Sequence, residues 1–263
     1  MTELVYIGGY GRSGSTLLES LLATRPDVLA CGEVLCCLRE RVDGPCTCGE
    51  TRYDCDVWSH FYTVPGRLRG WTHEALALAL LGKASGRYNL LIDSSKTAWG
   101  ALSTPFKLRR TLGQKFHLIH VVRDPRGVCW SNAGGAWKRR ARVKSPALRH
   151  LKTSLGWWAA NLSCELFGRL YPEQYQRVRY EDLARSHAAI LDGLFAKLAP
   201  GRPAAAGGAQ ATINRHQLYG NSARYRDPTA NIREDVRWKS RMPAAQQTLV
   251  AALAWPLRLR YGY

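Results

Sequence analysis

The sequence predicts an α/β fold: a parallel sheet with helices on both faces. Three observations support this. Short apolar, β-branched runs alternate with stretches of helical periodicity. A Gly/Ser loop separates the first strand from the first helix. The chemically capable residues follow the strands, at the edge where such folds bind ligands.

Leu4-Val5-Tyr6-Ile7, closed by Gly8-Gly9, reads as a buried strand. Thr16 to Ala23 places Leu17, Leu18, Leu21 and Leu22 on one side, which is helical spacing. Asn89 to Asp93 and His117 to Val122 are further strands, the second broken by Asp124-Pro125 with a helix starting near Arg126. Leu151 to Leu170 predicts a long helix. Arg177 to Tyr180 predicts a short strand, with a helix from about Ala188 to Leu198. Gly201 to Gly208 reads as a flexible linker, and a last helix is expected from Ala244 to Leu253. No internal repeat is visible, so one domain over residues 1–263 is expected, with a Cys-rich and aromatic insert at about 36–87.

The 263 residues are 46% hydrophobic, enough for a core, and carry a net charge of +18, a field that draws anions. The N-terminus lacks the basic-then-apolar pattern of a signal peptide. The longest apolar run, Glu74 to Leu81, is too short to span a bilayer. A cytoplasmic address and reduced thiols are therefore expected for the eight cysteines.

Gly9-Tyr10-Gly11-Arg12-Ser13-Gly14-Ser15-Thr16 joins the first strand to the first helix. Glycines there let backbone N–H groups turn onto an anion, and the helix N-terminus adds its dipole. The spacing imitates a nucleoside-triphosphatase P-loop, but Ser15 stands where that loop needs lysine; Arg12 supplies an earlier cation. A second anion site is suggested by Arg123 at the end of its strand and Ser131 two helical turns on. An arginine can grip a phosphate with two parallel hydrogen bonds, and a serine hydroxyl can add a third.

These segments resemble the sulfotransferases that use 3′-phosphoadenosine 5′-phosphosulfate (PAPS), in the branch holding tyrosylprotein and carbohydrate sulfotransferases. The resemblance implies a P-loop-like three-layer fold. It implies that Gly11, Arg12, Ser13, Gly14, Ser15 and Thr16 hold the 5′-phosphosulfate, and that Arg123 and Ser131 hold the 3′-phosphate. Arg179-Tyr180-Glu181-Asp182 resembles a family segment whose Tyr lies near the adenine, although it also reads as a helix start with acidic residues in its first turn. Asn221, Arg224, Arg233, Trp238 and Lys239 resemble the segment that closes over the nucleotide, and equally a solvated basic tail.

For catalysis, the resemblance implies Glu33 as the base that takes the acceptor proton. Arg12 and Lys96 would carry charge on the departing phosphate, with no metal required. A glutamate in a partly dry site can hold a proton near neutrality. Histidine alternatives are His117 and His120, both inside a strand, and His60 and His73 in the insert.

Cys46-Thr47-Cys48-Gly49, Cys55 and the nearby Cys36-Cys37 are dense for an intracellular chain. The spacing lacks paired Cys-x-x-Cys and shows no fourth ligand, so free thiols or a disulfide are expected rather than a metal. A similar Cys-x-Cys-Gly stretch in bacterial sulfotransferases implies an insert near the acceptor, where Trp58, Phe61, Tyr62 and Trp71 would suit a sugar, a tyrosine or a small natural product. Cys129 and Cys164 are expected to be buried packing residues. Two rivals remain. A P-loop kinase would have to work without its lysine at Ser15, and a nucleic-acid binder would use the charge itself.

Overall fold

The computed structural model of the protein describes residues 2–38, 44–64, 67–98, 100–134, 145–200, 214–230 and 232–263. Its centre is a five-stranded sheet in the order β2-β3-β1-β4-β5, from Val28–Ala30 (β2), Leu90–Asp93 (β3), Glu3–Gly8 (β1), Phe116–Val122 (β4) and Tyr175–Arg179 (β5). Every pairing is parallel. All five strands therefore end on one edge, and the loops leaving them share one space. β1 pairs with β3 on one side and β4 on the other, so the chain changes direction across the sheet at β1. That switch point is where open α/β sheets form their ligand crevice.

Strand alternation divides the core. Leu4, Tyr6, Leu91, Phe116 and Leu118 face one layer. Val5, Ile7, Ile92, Ile119 and Val121 face the other. Against the first face lie α4 (His73–Ala84), α5 (Thr104–Leu112) and α7 (Pro146–Leu170). Against the second lie α1 (Ser15–Leu22) and α9 (His187–Leu198). The apolar run at Glu74 falls inside α4, where the Thr72 hydroxyl caps the start by accepting from the Ala75 N–H at 3.2 Å. α6 (Pro125–Gly134) starts on its proline, whose missing N–H is not needed in a first turn. Tyr180 is not the last residue of β5 as expected; it opens α8 (Tyr180–Arg185). The tail supplies α10 (Arg237–Arg241), α11 (Ala244–Leu253) and α12 (Leu257–Arg260). The expected linker at Gly201 lies outside the described residues.

The insert departs from expectation. Trp58 and Phe61, on or beside the short α3 (Ser59–Tyr62), are 0% and 2% exposed and sit in the same core cluster as Tyr6 and Leu91. Tyr62 and Trp71 pack against that cluster. Trp58 and Phe61 are thus core residues, and Tyr62 and Trp71 are partly buried on them. Cys129 and Cys164 are buried as expected.

Close backbone approach fixes Gly9. It has φ +108°, and a Cβ there would stand 2.3 Å from the Val121 carbonyl oxygen in β4. Gly193, in α9, would meet nothing within 4 Å. Gly9→Ala is expected to destabilise the protein by about 2 kcal/mol or more. Gly193→Ala should stabilise it by roughly 0.5–1 kcal/mol. Denaturant unfolding of the two variants checks both signs.

Candidate active site

The loops after the five strands enclose a cleft of about 840 Å³, within the usual range for a nucleotide-sized ligand. Arg12, Gly14, Ser15 and Thr16 line it from the loop after β1, Glu33 from the loop after β2 and Lys96 from the loop after β3. Arg123 and Ser131 come from β4 and α6, and Tyr180 from α8. The tail adds Asn221, Arg226, Arg233, Asp235 and Arg237. Six of these side chains are cationic.

The loop after β1 is shaped by local conformation. Gly14 has φ +97°, and a Cβ there would come within 2.7 Å of the Tyr180 ring. Glycine therefore lets the turn lie flat on the tyrosine. Ser13 is 1% exposed, and its hydroxyl has no partner among the described residues. Arg12 and Lys96 both hold positive φ, 71° and 68°. This is a costly conformation for residues with a Cβ and clusters at functional sites.

Arg12 and Arg123 interlock. The Arg12 Nε donates to the Ser131 hydroxyl at 2.9 Å, and Arg123 donates to the Arg12 carbonyl at 3.1 Å. Arg123 also stacks over Tyr180, 4.3 Å from the ring centroid, and donates to the Asp235 carbonyl at 3.2 Å. Asp235 is held down to about 2, first by its hydrogen bond from Arg237, and stands 3.6 Å from Arg123. Burial lowers the Arg12 pKa, and the neighbouring Arg123 charge lowers it further.

Glu33 and Lys96 meet as an ion pair between Lys96 Nζ and Glu33 Oε1, with side chains 14% and 16% exposed. Two supports set this meeting. Asp93 accepts from the Ser95 N–H at 2.8 Å, and the Ser95 hydroxyl accepts from the Leu35 N–H at 2.8 Å. The other is Glu19, which the sequence reading missed. It is 1% exposed, accepts from the Gly32 N–H at 2.6 Å and from the Ser94 hydroxyl at 2.7 Å. An acidic residue among Leu17, Leu18, Leu21 and Leu22 was the available signal.

Several expected residues lie elsewhere. Trp238 is buried against α6, stacked under Arg126 at 4.5 Å, and Lys239 is exposed beside it; neither lines the cleft. Arg224 is 4% exposed and turns away to donate to the Gly220 carbonyl and the Tyr225 hydroxyl. Arg226 and Arg237, further along the same basic segment, take the cleft positions. Gly11 runs against the Lys96 stem, 3.8 Å from where its Cβ would be. The histidines are engaged away from the cleft. His117 pairs with Glu3, His73 is buried on Asp93, and His60 meets Arg67. His120 lies between Tyr175 and Asn161, and burial lowers its pKa to about 4.

Among solved structures, the chain is similar to the sulfotransferase domain from the curacin biosynthetic pathway. The TM-score is 0.62 and the identity 19%, over 97% of this chain and 98% of that one. It is similar to the sulfotransferase domain of the Synechococcus PCC 7002 olefin synthase, with TM-score 0.54 and 19% identity, over 100% and 95%. A sulfotransferase from Alicyclobacillus acidocaldarius gives TM-score 0.51 and 15% identity, over 98% and 96%. These likenesses show the fold. No family model and no curated protein sequence matches the chain. No helix among the described residues is long and apolar enough to cross a membrane.

Burial raises the Glu19 carboxyl to about 7. Between about 4.5 and 7 the unfolded chain releases this proton while the folded chain keeps it. Glu19 therefore makes stability fall across that window as pH rises, by about 3 kcal/mol at most, and the loss levels off above it. The thermal midpoint of Glu19→Gln should lack that component, measured by calorimetry from pH 4.5 to 8.

Proposed function

We propose that the protein is a PAPS-dependent sulfotransferase that moves a sulfuryl group to an acceptor hydroxyl and releases 3′-phosphoadenosine 5′-phosphate. The observation that carries this reading is the joining of an acidic base candidate, Glu33, to a cation, Lys96, beside two interlocked arginines at the sheet's switch point. The folds of the similar structures support it.

The residues present fit the donor. The buried, unpartnered Ser13 hydroxyl and the flat turn at Gly14 suit a 5′-phosphosulfate on Gly11 to Thr16. Arg12 and Arg123, crowded so that burial and mutual repulsion already weaken the Arg12 charge, gain from an anion seated between them. Arg123 and Ser131 would take the 3′-phosphate, with Arg226, Arg233 and Arg237 as further counter-charges. Tyr180 and Asn221 would flank the nucleoside.

The donor supplies a sulfuryl group on a stabilised phosphate leaving group. Glu33 accepts the acceptor's hydroxyl proton as the new S–O bond forms. Lys96 and Arg12 neutralise the phosphate oxygen freed when the old S–O bond breaks. The ion pair holds Lys96 and Glu33 against each other, and substrates entering the cleft would separate them. No metal is needed for this step, because fixed cations hold the charge. The acceptor is a sugar, a tyrosine or a small natural product. One domain, a cytoplasmic address, and no membrane or nucleic-acid partner complete the proposal.

A P-loop kinase is the second reading. Ser15 replaces the phosphate-binding lysine, while Lys96 enters from another strand. Calorimetric titration separates the two. Micromolar binding of 3′-phosphoadenosine 5′-phosphate without binding of ATP and Mg²⁺ supports the sulfotransferase; binding of ATP alone overturns it.

Arg123→Ala should weaken that nucleotide roughly 10- to 100-fold, and an unchanged Kd removes the 3′-phosphate assignment. Glu33→Gln should lower kcat by about 10²- to 10⁴-fold. Lys96→Ala and Arg12→Ala should each depress turnover far more than nucleotide affinity, in a radiolabelled sulfate-transfer assay once an acceptor is found. Full turnover in any of the three takes that residue out of catalysis.

A further inference from the structure

The cysteine segment acquires a partner in the fold that the sequence order hides. His216, 161 residues beyond Cys55, brings Nδ1 to 3.2 Å from the Cys55 sulfur. Cys46 and Cys55 place their sulfurs 3.6 Å apart. With Cys48, these four ligand atoms lie within 4.8 Å of one another. Around one tetrahedral zinc at about 2.3 Å, neighbouring sulfurs stand about 3.8 Å apart. The 3.6 Å Cys46–Cys55 separation is close to the edge of a coordination tetrahedron, and all four atoms stand within 4.8 Å of one another, near enough to close on one ion.

We propose that Cys46, Cys48, Cys55 and His216 form a structural zinc site. Three sulfurs and one imidazole make a soft set that favours zinc over calcium or magnesium, and four protein ligands leave no open position for catalysis. Zinc displaces the thiol protons as it binds, so the three cysteines enter as thiolates.

The surrounding chain holds the ligands in place. Cys46 and Gly49 close a tight turn, the Gly49 N–H donating to the Cys46 carbonyl at 3.0 Å with Gly49 at φ +99°. Between the first two ligands, the Thr47 hydroxyl donates to the Arg215 carbonyl at 2.7 Å and accepts from the Gln217 N–H at 2.9 Å. It thus grips the chain on both sides of His216. The His216 N–H donates to Ala30 of β2 at 2.8 Å, and Trp58 donates its indole N–H to the His216 carbonyl. Cys46 and Cys55 are buried and Cys48 is exposed, giving the ion a route in. The expectation of free thiols or a disulfide rather than a metal rested on the lack of a Cys-x-x-Cys pair and on an unidentified fourth ligand, and His216 is that ligand. The site would fasten the insert to the segment running on to Asn221, a wall of the cleft.

The test uses the full chain, purified with reductant and without chelator. Elemental analysis is expected to find one zinc per protein. Cys55→Ser and His216→Ala should drop the zinc to a small fraction of that, while Cys129→Ser keeps it. A strong chelator should lower the wild-type thermal midpoint, and added zinc should restore it. Should the ligand variants not fold, refilling the stripped wild type with cobalt decides alone: the intense visible bands and thiolate charge-transfer absorption of tetrahedral cobalt support the site. Wild-type protein that takes up neither metal overturns it. So does an intact mass short of two hydrogens with Cys46 joined to Cys55. None of these readouts depends on the donor nucleotide, so the zinc site and the sulfotransferase reading fail separately.

Discussion

One buried carboxylate ties together the loops on which the candidate chemistry stands. Glu19 rises from α1, at the end of the phosphate-type loop, and takes a backbone N–H from the loop after β2 and a hydroxyl from the loop after β3. Glu33 follows the first of those contacts by one residue, and Lys96 follows the second by two. Loops on separate strands have no covalent reason to keep a fixed distance. A shared acceptor inside a dry region gives them one, because leaving either donor unpaired there costs more than moving it. The Asp93–Ser95–Leu35 relay repeats the constraint a few ångströms away. The meeting of Glu33 and Lys96 is thus a product of the scaffold.

Concentrating cations at one edge works against stability, and the fold manages it with geometry. Arg123 stacks on Tyr180 and leans on the Asp235 carboxylate, so its charge is partly answered by the protein. Arg12 has a hydroxyl and a backbone neighbour and, among the described residues, no carboxylate in ion-pair contact; burial first and the Arg123 charge second lower its affinity for its own proton. The two arginines look alike in sequence but sit in different electrostatic surroundings, and under the proposed function that difference suits one to holding the nucleotide and the other to meeting charge beside the Glu33–Lys96 pair.

The inner strands were legible because β1, β3 and β4 are almost wholly buried, and apolar runs ended by glycine or Asp-Pro say so locally. The anion loop was legible for the same reason: Gly14 and Arg12 answer to backbone conformation within a few residues. Val28–Ala30 was missed because three residues between a turn and Gly32 carry too little periodicity. The tail was harder. Trp238 and Arg224 match a plausible motif, yet both side chains are buried in packing, while Arg237, one residue before Trp238, and Arg226, two residues after Arg224, line the cleft. The burial of Trp58 and Phe61 was not legible, because a chemical inventory does not say which side of a chain faces inward. His216 could not be paired with Cys55 from spacing at all, since the contact is made by the fold.

Arg12 and Lys96 stand on backbone that glycine would occupy with less strain. Under the proposed function, selection for a hardier molecule and selection for a working one point in opposite directions at these two codons. A lineage relieved of its chemical duty would be free to drift toward glycine there, gaining robustness as it lost its purpose. The side chain at those two positions in a distant cousin would thus record whether that cousin still has a job to do.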